Sequence, residues 1–140
     1  MGGNYIDYEC VTTPQMHYLV SVINKEPGRS MKVEDYYEHY AGAFNEFVKM
    51  IGKSKSEDVM YIDCGDGIGG PRLTDFNKYL KFNLHLINSG VGDKIYLNDL
   101  CGAEHVQKQR KQPRNFETVP NHEKCISFDG DADRIIYLYM

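Results

Sequence analysis

The sequence has no long apolar run, since none in its 140 residues approaches the roughly 20 that a membrane-spanning helix needs. Its N-terminus has neither a basic start nor an apolar stretch, so we expect no secretory signal. It also has no excess of positive charge: 16 Lys and Arg stand against 20 Asp and Glu, a net charge of −4. Bulk positive charge for binding nucleic acid is therefore missing, and we expect neither a nucleic-acid nor a membrane partner.

Cysteine is scarce and scattered. The four cysteines, Cys10, Cys64, Cys101 and Cys125, include no C-x-x-C pair, so neither a disulfide scaffold nor a zinc site is expected. Free thiols suit a reducing compartment, and we predict a cytoplasmic location. The sequence also lacks internal repeats and low-complexity tracts, and it does not define an oligomeric state.

Two helices are predicted in the first third of the chain. Thr13 is predicted as the N-cap of the first, with Pro14 in the first helical position and an end near 27–28. The second is predicted over 33–52, with Gly52 as its C-terminal cap. Apolar residues at helical spacing define the buried face of this second helix. They are Val33, Tyr36, Tyr37, Tyr40, Phe44, Phe47, Val48 and Ile51.

Strands and helices alternate in the remainder. Strands are predicted over 59–63, 84–87, 125–128 and 135–139, helices over 71–81 and 100–109, and a surface loop over 110–122. This order predicts an α/β domain with a small mixed β-sheet flanked by α-helices. We assign 1–13 to an entry linker and 14–140 to the domain. Because the chain ends inside an apolar strand, we expect that domain to be incomplete at its C-terminus.

Residues 127–134, SFDGDADR, form the most informative stretch. Asp129, Asp131 and Asp133 alternate with the two smallest residue types, which lets the backbone curl so that the three carboxylates converge. Two such charges about 4 Å apart repel by roughly 4 kcal/mol at an effective dielectric constant near 20. A divalent cation removes that cost, and an all-oxygen ligand set favours Mg²⁺ or Ca²⁺.

The acidic stretch has three other interpretations. A solvated turn is the simplest, since Asp and Gly are common in turns, but a turn does not require three alternating aspartates. An EF-hand would need glycine and glutamate where Arg134 and Met140 stand. A phosphatase with an aspartate nucleophile usually has threonine or valine in place of Asp133, and its other catalytic groups lie further downstream.

Two further features have open interpretations. Arg134 places a permanent positive charge with a fixed fork of donors beside the predicted cation, which suits contact with phosphate. The alternative is a salt bridge to one of the loop aspartates. The glycine-rich turn at 65–70 precedes a predicted helix and could cradle a phosphate, although a structural turn is the preferred interpretation.

Four stretches together resemble the α-D-phosphohexomutases. The stretch 127–134 is similar to the metal loop of that family. Three others, VTTPQMHY at 11–18, IDCGDGIG at 62–69 and LNDLCGAE at 97–104, resemble the branch that acts on N-acetylglucosamine phosphates. Their order and spacing extend the resemblance over nearly the whole chain, and the part resembled is the second of the family's four domains.

The resemblance implies a function and a set of roles. Asp129, Asp131 and Asp133 would hold Mg²⁺, and Arg134 would contact the phosphate of a sugar phosphate substrate. The reaction would interconvert N-acetylglucosamine 6-phosphate and 1-phosphate through a phosphoserine and a bisphosphate intermediate, on the route to UDP-N-acetylglucosamine.

The sequence also departs from the family pattern. No serine lies in a Ser-His-Asn-Pro type of sequence, so we expect no catalytic residue and no turnover from these 140 residues alone. Gly65 and Asp66 stand where the resemblance predicts alanine and asparagine. The alternatives are a non-catalytic domain that only binds a divalent cation, or a segment of a phosphoglucomutase or phosphomannomutase.

Overall fold

A four-stranded mixed β-sheet organises the chain, in a computed structural model that describes residues 5–54, 57–90 and 96–140. The elements follow the order α1 (Thr13–Lys25), α2 (Val33–Met50), β1 (Met60–Asp63), α3 (Gly69–Leu80), β2 (Leu84–Ile87), α4 (Ala103–Gln109), β3 (Lys124–Phe128) and β4 (Ile135–Tyr139). The strand order is β2-β1-β3-β4, in which β1 is parallel to β2 and β3, and β4 is antiparallel to β3. The predicted small mixed sheet flanked by helices is confirmed.

The two faces of the sheet have separate cores, because successive side chains of a strand point to opposite faces. One core contains Ile62, Cys64 and Ile126, with Leu73 of α3 packed against it. The other contains Ile87 and Cys125 together with Phe116 and Val119 from the loop that precedes β3. The long polar loop predicted over 110–122 therefore contributes two buried side chains to the core.

The three N-terminal helices pack through aromatic rings. Tyr18 of α1 contacts the rings of Tyr36 and Tyr40 of α2, and Tyr37 of α2 stacks on Phe76 of α3 with ring centroids 5.4 Å apart. Such pairs stabilise an interface beyond the apolar area that they bury. They attach α1 to α2 and α2 to α3.

The predicted buried face of α2 is wrong at Tyr40, which is 44% exposed, and at the C-terminal end of the helix. Tyr37 and Ala41 are buried, whereas Phe47 and Ile51 are 57% and 49% exposed. Length explains the difference: at about 1.5 Å per residue, the 18 residues of α2 extend about 27 Å, whereas the 12 residues of α3 extend about 18 Å. The last turn of α2 therefore extends beyond the helix on which it packs.

Three predicted helix starts also change. The N-cap of α1 is Thr12 rather than Thr13. Helix α3 begins at Gly69, two residues earlier than predicted. Helix α4 begins at Ala103 rather than near Leu100, because the backbone is left-handed at Asn98 and Leu100, with φ of 58° and 52°. Left-handed residues cannot continue a right-handed helix.

The topology indicates where on the sheet a ligand would bind, at the carboxyl ends of two neighbouring strands. From β1 the chain goes first to β2 on one side and later to β3 on the other, so the carboxyl ends of β1 and β3 form a topological switch point. Ligands of open α/β sheets bind outside the carboxyl ends of strands at such points. The acidic loop that follows β3 lies at the carboxyl ends of these strands.

Within the described ranges, no helix is both long and apolar enough to cross a membrane.

Candidate metal centre

The acidic loop is the six-residue connection, 129–134, between the antiparallel strands β3 and β4. The last pair of the ladder joins Phe128 to Ile135, so both ends of the loop are held by the sheet. On its inner side the loop packs on the turn that follows β1, where Ile68 N–H donates to the carbonyl of Gly130 at 3.0 Å. The loop is thus fixed at both ends and along one side.

The three aspartates do converge. One carboxylate oxygen from each of Asp129, Asp131 and Asp133 lies within 4.8 Å of the others. In an octahedral Mg²⁺ site with Mg–O distances of about 2.1 Å, adjacent ligand oxygens are about 3.0 Å apart and opposite ones about 4.2 Å apart. A closure of the loop by at most roughly 2 Å would therefore bring the three oxygens to octahedral spacing. Asp129 is buried and the other two are exposed, so a cation would keep contact with solvent on one side.

The loop curls at one of the two small residues that the sequence suggests. Ala132, not Gly130, has the left-handed conformation, with φ of 57°, and its N–H donates to the carbonyl of Asp129 at 3.1 Å. At Gly130 the constraint is space instead, because a Cβ there would lie 2.6 Å from a methyl carbon of Leu97 and that side chain would have to shift. The two small residues serve two separate needs.

Arg134 folds back over the loop. Its Nε–H donates to Asp129 Oδ2 at 2.5 Å and its backbone N–H donates to Asp129 Oδ1 at 3.2 Å. Its guanidinium also lies 3.5 Å from carboxylates of Asp133 and Glu104. The hydrogen bond and charge of Asp129 raise the pKa of Arg134 above its usual value. The intraloop salt bridge is present, and contact with phosphate stays a prediction.

The remaining charge of the loop is not fully compensated. Desolvation, a hydrogen bond with Asp129 and the charges of Asp129 and Asp131 raise the pKa of Asp133, against the smaller opposite effect of Arg134. Like charges that share a site produce this direction of shift. The loop therefore has an electrostatic reason to bind a cation, and its oxygen ligands suit Mg²⁺ or Ca²⁺.

Two residues that shape the site are not identified by the sequence pattern. Asp63, the last residue of β1, is fully buried and accepts hydrogen bonds from four donors on four different segments. Thr13 donates its hydroxyl to Asp131 Oδ2 at 2.5 Å. The Thr12-x-x-Gln15 pattern, a capping box, would have identified Thr12 as the cap and left Thr13 free for another partner. For Asp63, the only signal is an acid at the end of a buried strand.

The glycine-rich turn after β1 is explained by close packing. A Cβ on Gly67 would lie 2.1 Å from the carbonyl oxygen of Gly130, and one on Gly70 would lie 2.7 Å from that of Ser89. Asp66, immediately before Gly67, forms an ion pair with Arg114 and accepts from Gly90 N–H at 3.3 Å. The aspartate that departs from the family pattern therefore has its own partners in this chain.

Sequence comparison finds relatives among the phosphoacetylglucosamine mutases. Residues 28–136 match the family described as phosphoacetylglucosamine mutase AMG1, domain II. The phosphoacetylglucosamine mutase of Homo sapiens is 40% identical over 142 residues, which cover 99% of this chain and 26% of that protein. That of Saccharomyces cerevisiae is 33% identical over 147 residues, covering 96% and 26%.

A solved structure agrees as well. The crystal structure of Aspergillus fumigatus N-acetylphosphoglucosamine mutase in complex with GlcNAc-6P and magnesium superposes with a TM-score of 0.85 at 31% identity. The superposition covers 97% of this chain and 28% of that one. A second structure, of an N-acetylglucosamine-phosphate mutase in its substrate complex, superposes with a TM-score of 0.83 at 32% identity.

Fold and site together define an α/β domain of the α-D-phosphohexomutase superfamily. Within that superfamily the chain belongs to the phosphoacetylglucosamine mutase family, whose members are isomerases, and it matches that family's domain II. The chain spans about a quarter of the length of the curated relatives that it matches. The boundary between an entry linker and the domain at residues 13 and 14 stays a prediction.

Proposed function

We propose that this chain supplies the divalent-cation site of a phosphoacetylglucosamine mutase, with Mg²⁺ held by Asp129, Asp131 and Asp133. The observation that carries the proposal is the convergence of one oxygen from each aspartate within 4.8 Å on a loop fixed by two strands. The donor set supports it, because three carboxylates suit a hard dication. The structural relative named above as a complex with magnesium supports it as well.

The reaction we propose interconverts N-acetylglucosamine 6-phosphate and 1-phosphate through a phosphoserine and a bisphosphate intermediate, in the cytoplasm and on the route to UDP-N-acetylglucosamine. Family membership and the GlcNAc-6P complex of a relative support this substrate. The cation would neutralise charge on the phosphoryl group during transfer. The serine that carries that group would lie outside these 140 residues.

The residues of this chain would then bind and position. Asp129 is buried and would be the fixed ligand, while the exposed Asp131 and Asp133 would complete the protein's share of the coordination. Arg134, with a side chain 51% exposed at the loop surface, would donate to a phosphate oxygen. In this arrangement Glu104 at the start of α4 shares the guanidinium and limits how far it can turn.

Calorimetric titration of the chain with MgCl₂ tests the cation site. We expect binding by the wild type and at least tenfold weaker binding by Asp131→Asn, which removes one charge and one strong ligand. Glu46→Gln is the matched control, since it removes one acidic charge from an exposed position of α2. Equal Mg²⁺ affinity of wild type and Asp131→Asn would refute the site.

A chimaera tests the reaction. This chain would replace the matching quarter of the Homo sapiens relative, and conversion of N-acetylglucosamine 6-phosphate would be followed. We expect turnover that is lost in the Asp131→Asn chimaera and kept in the Glu46→Gln chimaera. A chimaera that folds and binds Mg²⁺ without turnover would instead favour the second candidate, a domain that binds a cation and has no catalytic role.

A further inference from the structure

The first residue of α1 is bonded to the centre of the acidic loop. Thr13 Oγ1 donates to Asp131 Oδ2 at 2.5 Å, and Thr13 N–H donates to the carbonyl oxygen of Asp131 at 3.1 Å. The two residues are 118 positions apart in the chain. Thr13 therefore holds both the main chain and the side chain of the middle aspartate.

Local structure makes Thr13 available for this contact. In the capping box, Thr12 Oγ1 accepts from Gln15 N–H at 3.3 Å, and Gln15 Oε1 accepts from Thr12 N–H at 2.9 Å. Both of these side chains are buried. The N–H of Thr13 is one of the first-turn donors that a helix cannot satisfy internally, and here the loop carbonyl accepts it.

The approach to α1 is fixed from the other side by α3. Arg72 donates through Nε to the carbonyl oxygen of Cys10 at 2.9 Å and reaches the same oxygen through Nη2. The guanidinium of Arg72 thus holds the chain three residues before Thr13. With the capping box on one side and Arg72 on the other, Thr13 has little freedom to leave Asp131.

Asp131 needs such a partner more than Asp129 does. Asp129 is buried and both of its oxygens accept from Arg134, whereas Asp131 is exposed on the outer side of the loop. A carboxylate has acceptor sites on both oxygens, so Asp131 can accept the Thr13 hydroxyl and bind a cation at the same time. Hydrogen bonds of this kind to ligating carboxylates orient the ligand, and their loss typically lowers metal affinity roughly 10- to 100-fold.

We propose that Thr13 is a positioning residue for the cation site: it holds Asp131 in its ligating orientation and couples the first turn of α1 to the bound ion. This inference rests on the proposed function of the loop as a Mg²⁺ site. Coupling is reciprocal, because an ion that fixes Asp131 also fixes the acceptor of Thr13. Mg²⁺ should then stabilise the beginning of α1.

Two substitutions at one position test the role of the hydroxyl. Thr13→Val keeps the β-branched shape and removes the donor, and Thr13→Ser keeps the donor. By calorimetry we expect about tenfold weaker Mg²⁺ binding for Thr13→Val and wild-type binding, within about twofold, for Thr13→Ser. Thr74→Val is the control, because it removes a hydroxyl that donates within α3 to the carbonyl of Gly70.

A measurement on the wild type keeps the test independent of how the variants fold. Hydrogen exchange followed by NMR should show slower exchange of the Thr13 and Met16 amides on addition of MgCl₂, with no change at the amides of α2. Unchanged exchange, or equal Mg²⁺ affinity of Thr13→Val and wild type, would overturn the role of Thr13 and leave the cation site intact. Failure of the wild type to bind Mg²⁺ at all would overturn the cation site and this role together.

Discussion

Asp63 and Ser127 join the carboxyl ends of β1 and β3 through a hydrogen bond of 2.6 Å between Ser127 Oγ and Asp63 Oδ2. Both side chains are fully buried, and Ser127 lies two residues before Asp129. The same carboxylate accepts from Gly102 N–H at 2.7 Å and from Asn88 Nδ2 at 2.8 Å. One buried acid therefore connects three of the segments that surround the acidic loop.

Removal of the Asp63 carboxylate should strongly destabilise the fold. In Asp63→Ala the four buried donors lose their acceptor, and each unsatisfied donor costs about 1–3 kcal/mol. We expect the free energy of unfolding to fall by at least about 3 kcal/mol, a large part of the total for a small domain. Ser127→Ala should cost only about 1 kcal/mol, because Asp63 keeps its other donors. Urea unfolding measures both, with Glu46→Ala as the exposed control, and similar losses for all three variants would contradict this role of Asp63.

Asp133 should oppose folding and favour cation binding. Desolvation first, and then the hydrogen bond and charges of the neighbouring carboxylates, raise its pKa, so the metal-free loop contains a cost of ionisation that a neutral side chain would relieve. We expect Asp133→Asn to raise the melting temperature in EDTA and to lose the increase that MgCl₂ gives the wild type. Differential scanning calorimetry with and without MgCl₂ measures both effects. A variant less stable than the wild type in EDTA would show that this cost is already compensated by Arg134.

Strands and ligands are predictable because their signals are local. The strands 84–87 and 135–139 have the bounds that the sequence predicts, since apolar runs between polar segments determine them. The three aspartates are identifiable because neither a turn nor a solvated surface requires acids at every second position over five residues. Their convergence also requires the left-handed curl at Ala132, which the small residues between the aspartates allow.

The residues that position the loop are not predictable, since their partners are distant in sequence. Thr13 and Asp131 are 118 residues apart, and Asp63 and Ser127 are 64 apart. A threonine in a first turn or an acid at a strand end has many possible partners, and only the topology selects one. The exposure of Phe47 is not predictable either. The sequence indicates the length of α2 but not how much of that length α3 covers.

Two glycine substitutions should have opposite effects. Gly67→Ala puts a Cβ 2.1 Å from the carbonyl oxygen of Gly130, so the turn after β1 and the acidic loop must separate. We expect a loss of about 1–3 kcal/mol in unfolding free energy, together with weaker Mg²⁺ binding.

Gly42→Ala is the matched control, since Gly42 lies inside α2 and no atom outside its own helix backbone lies within 4 Å of an added Cβ. It should gain about 0.5–1 kcal/mol from the higher helix propensity of alanine. Equal effects of the two substitutions in urea unfolding would contradict the close packing of Gly67 against the carbonyl oxygen of Gly130.

One cysteine should react rapidly with thiol reagents. Cys10 is exposed, whereas the other three are buried. Desolvation, with a smaller contribution from Asp63, raises the pKa of Cys64 from 9.0 to about 12, and Cys101 shifts to about 12 for the same reasons with Asp99 added. At pH 8 a thiol with that pKa is a thiolate in roughly one molecule in ten thousand, and the thiolate is the reactive form. Ellman's reagent should therefore modify one thiol quickly and the rest only as the chain unfolds, and a fast phase of more than one thiol would contradict the burial.

The same thiols should make the fold sensitive to alkaline pH. Near pH 7, well below the value of 9.0 for a thiol in the unfolded chain, the thiols are protonated in both folded and unfolded chains and add no pH dependence. Between pH 9 and 12 the unfolded chain loses these protons first, so it binds fewer protons than the folded chain and the free energy of unfolding falls as pH rises. The slope should be up to about 1.4 kcal/mol per pH unit for each of Cys64 and Cys101. Urea unfolding between about pH 8 and 10.5 should show a shallower slope for Cys64→Ala than for the wild type, whereas Gly42→Ala, which removes no titratable group, should keep the wild-type slope. Identical slopes for both variants would mean that Cys64 is not protonated preferentially in the folded chain.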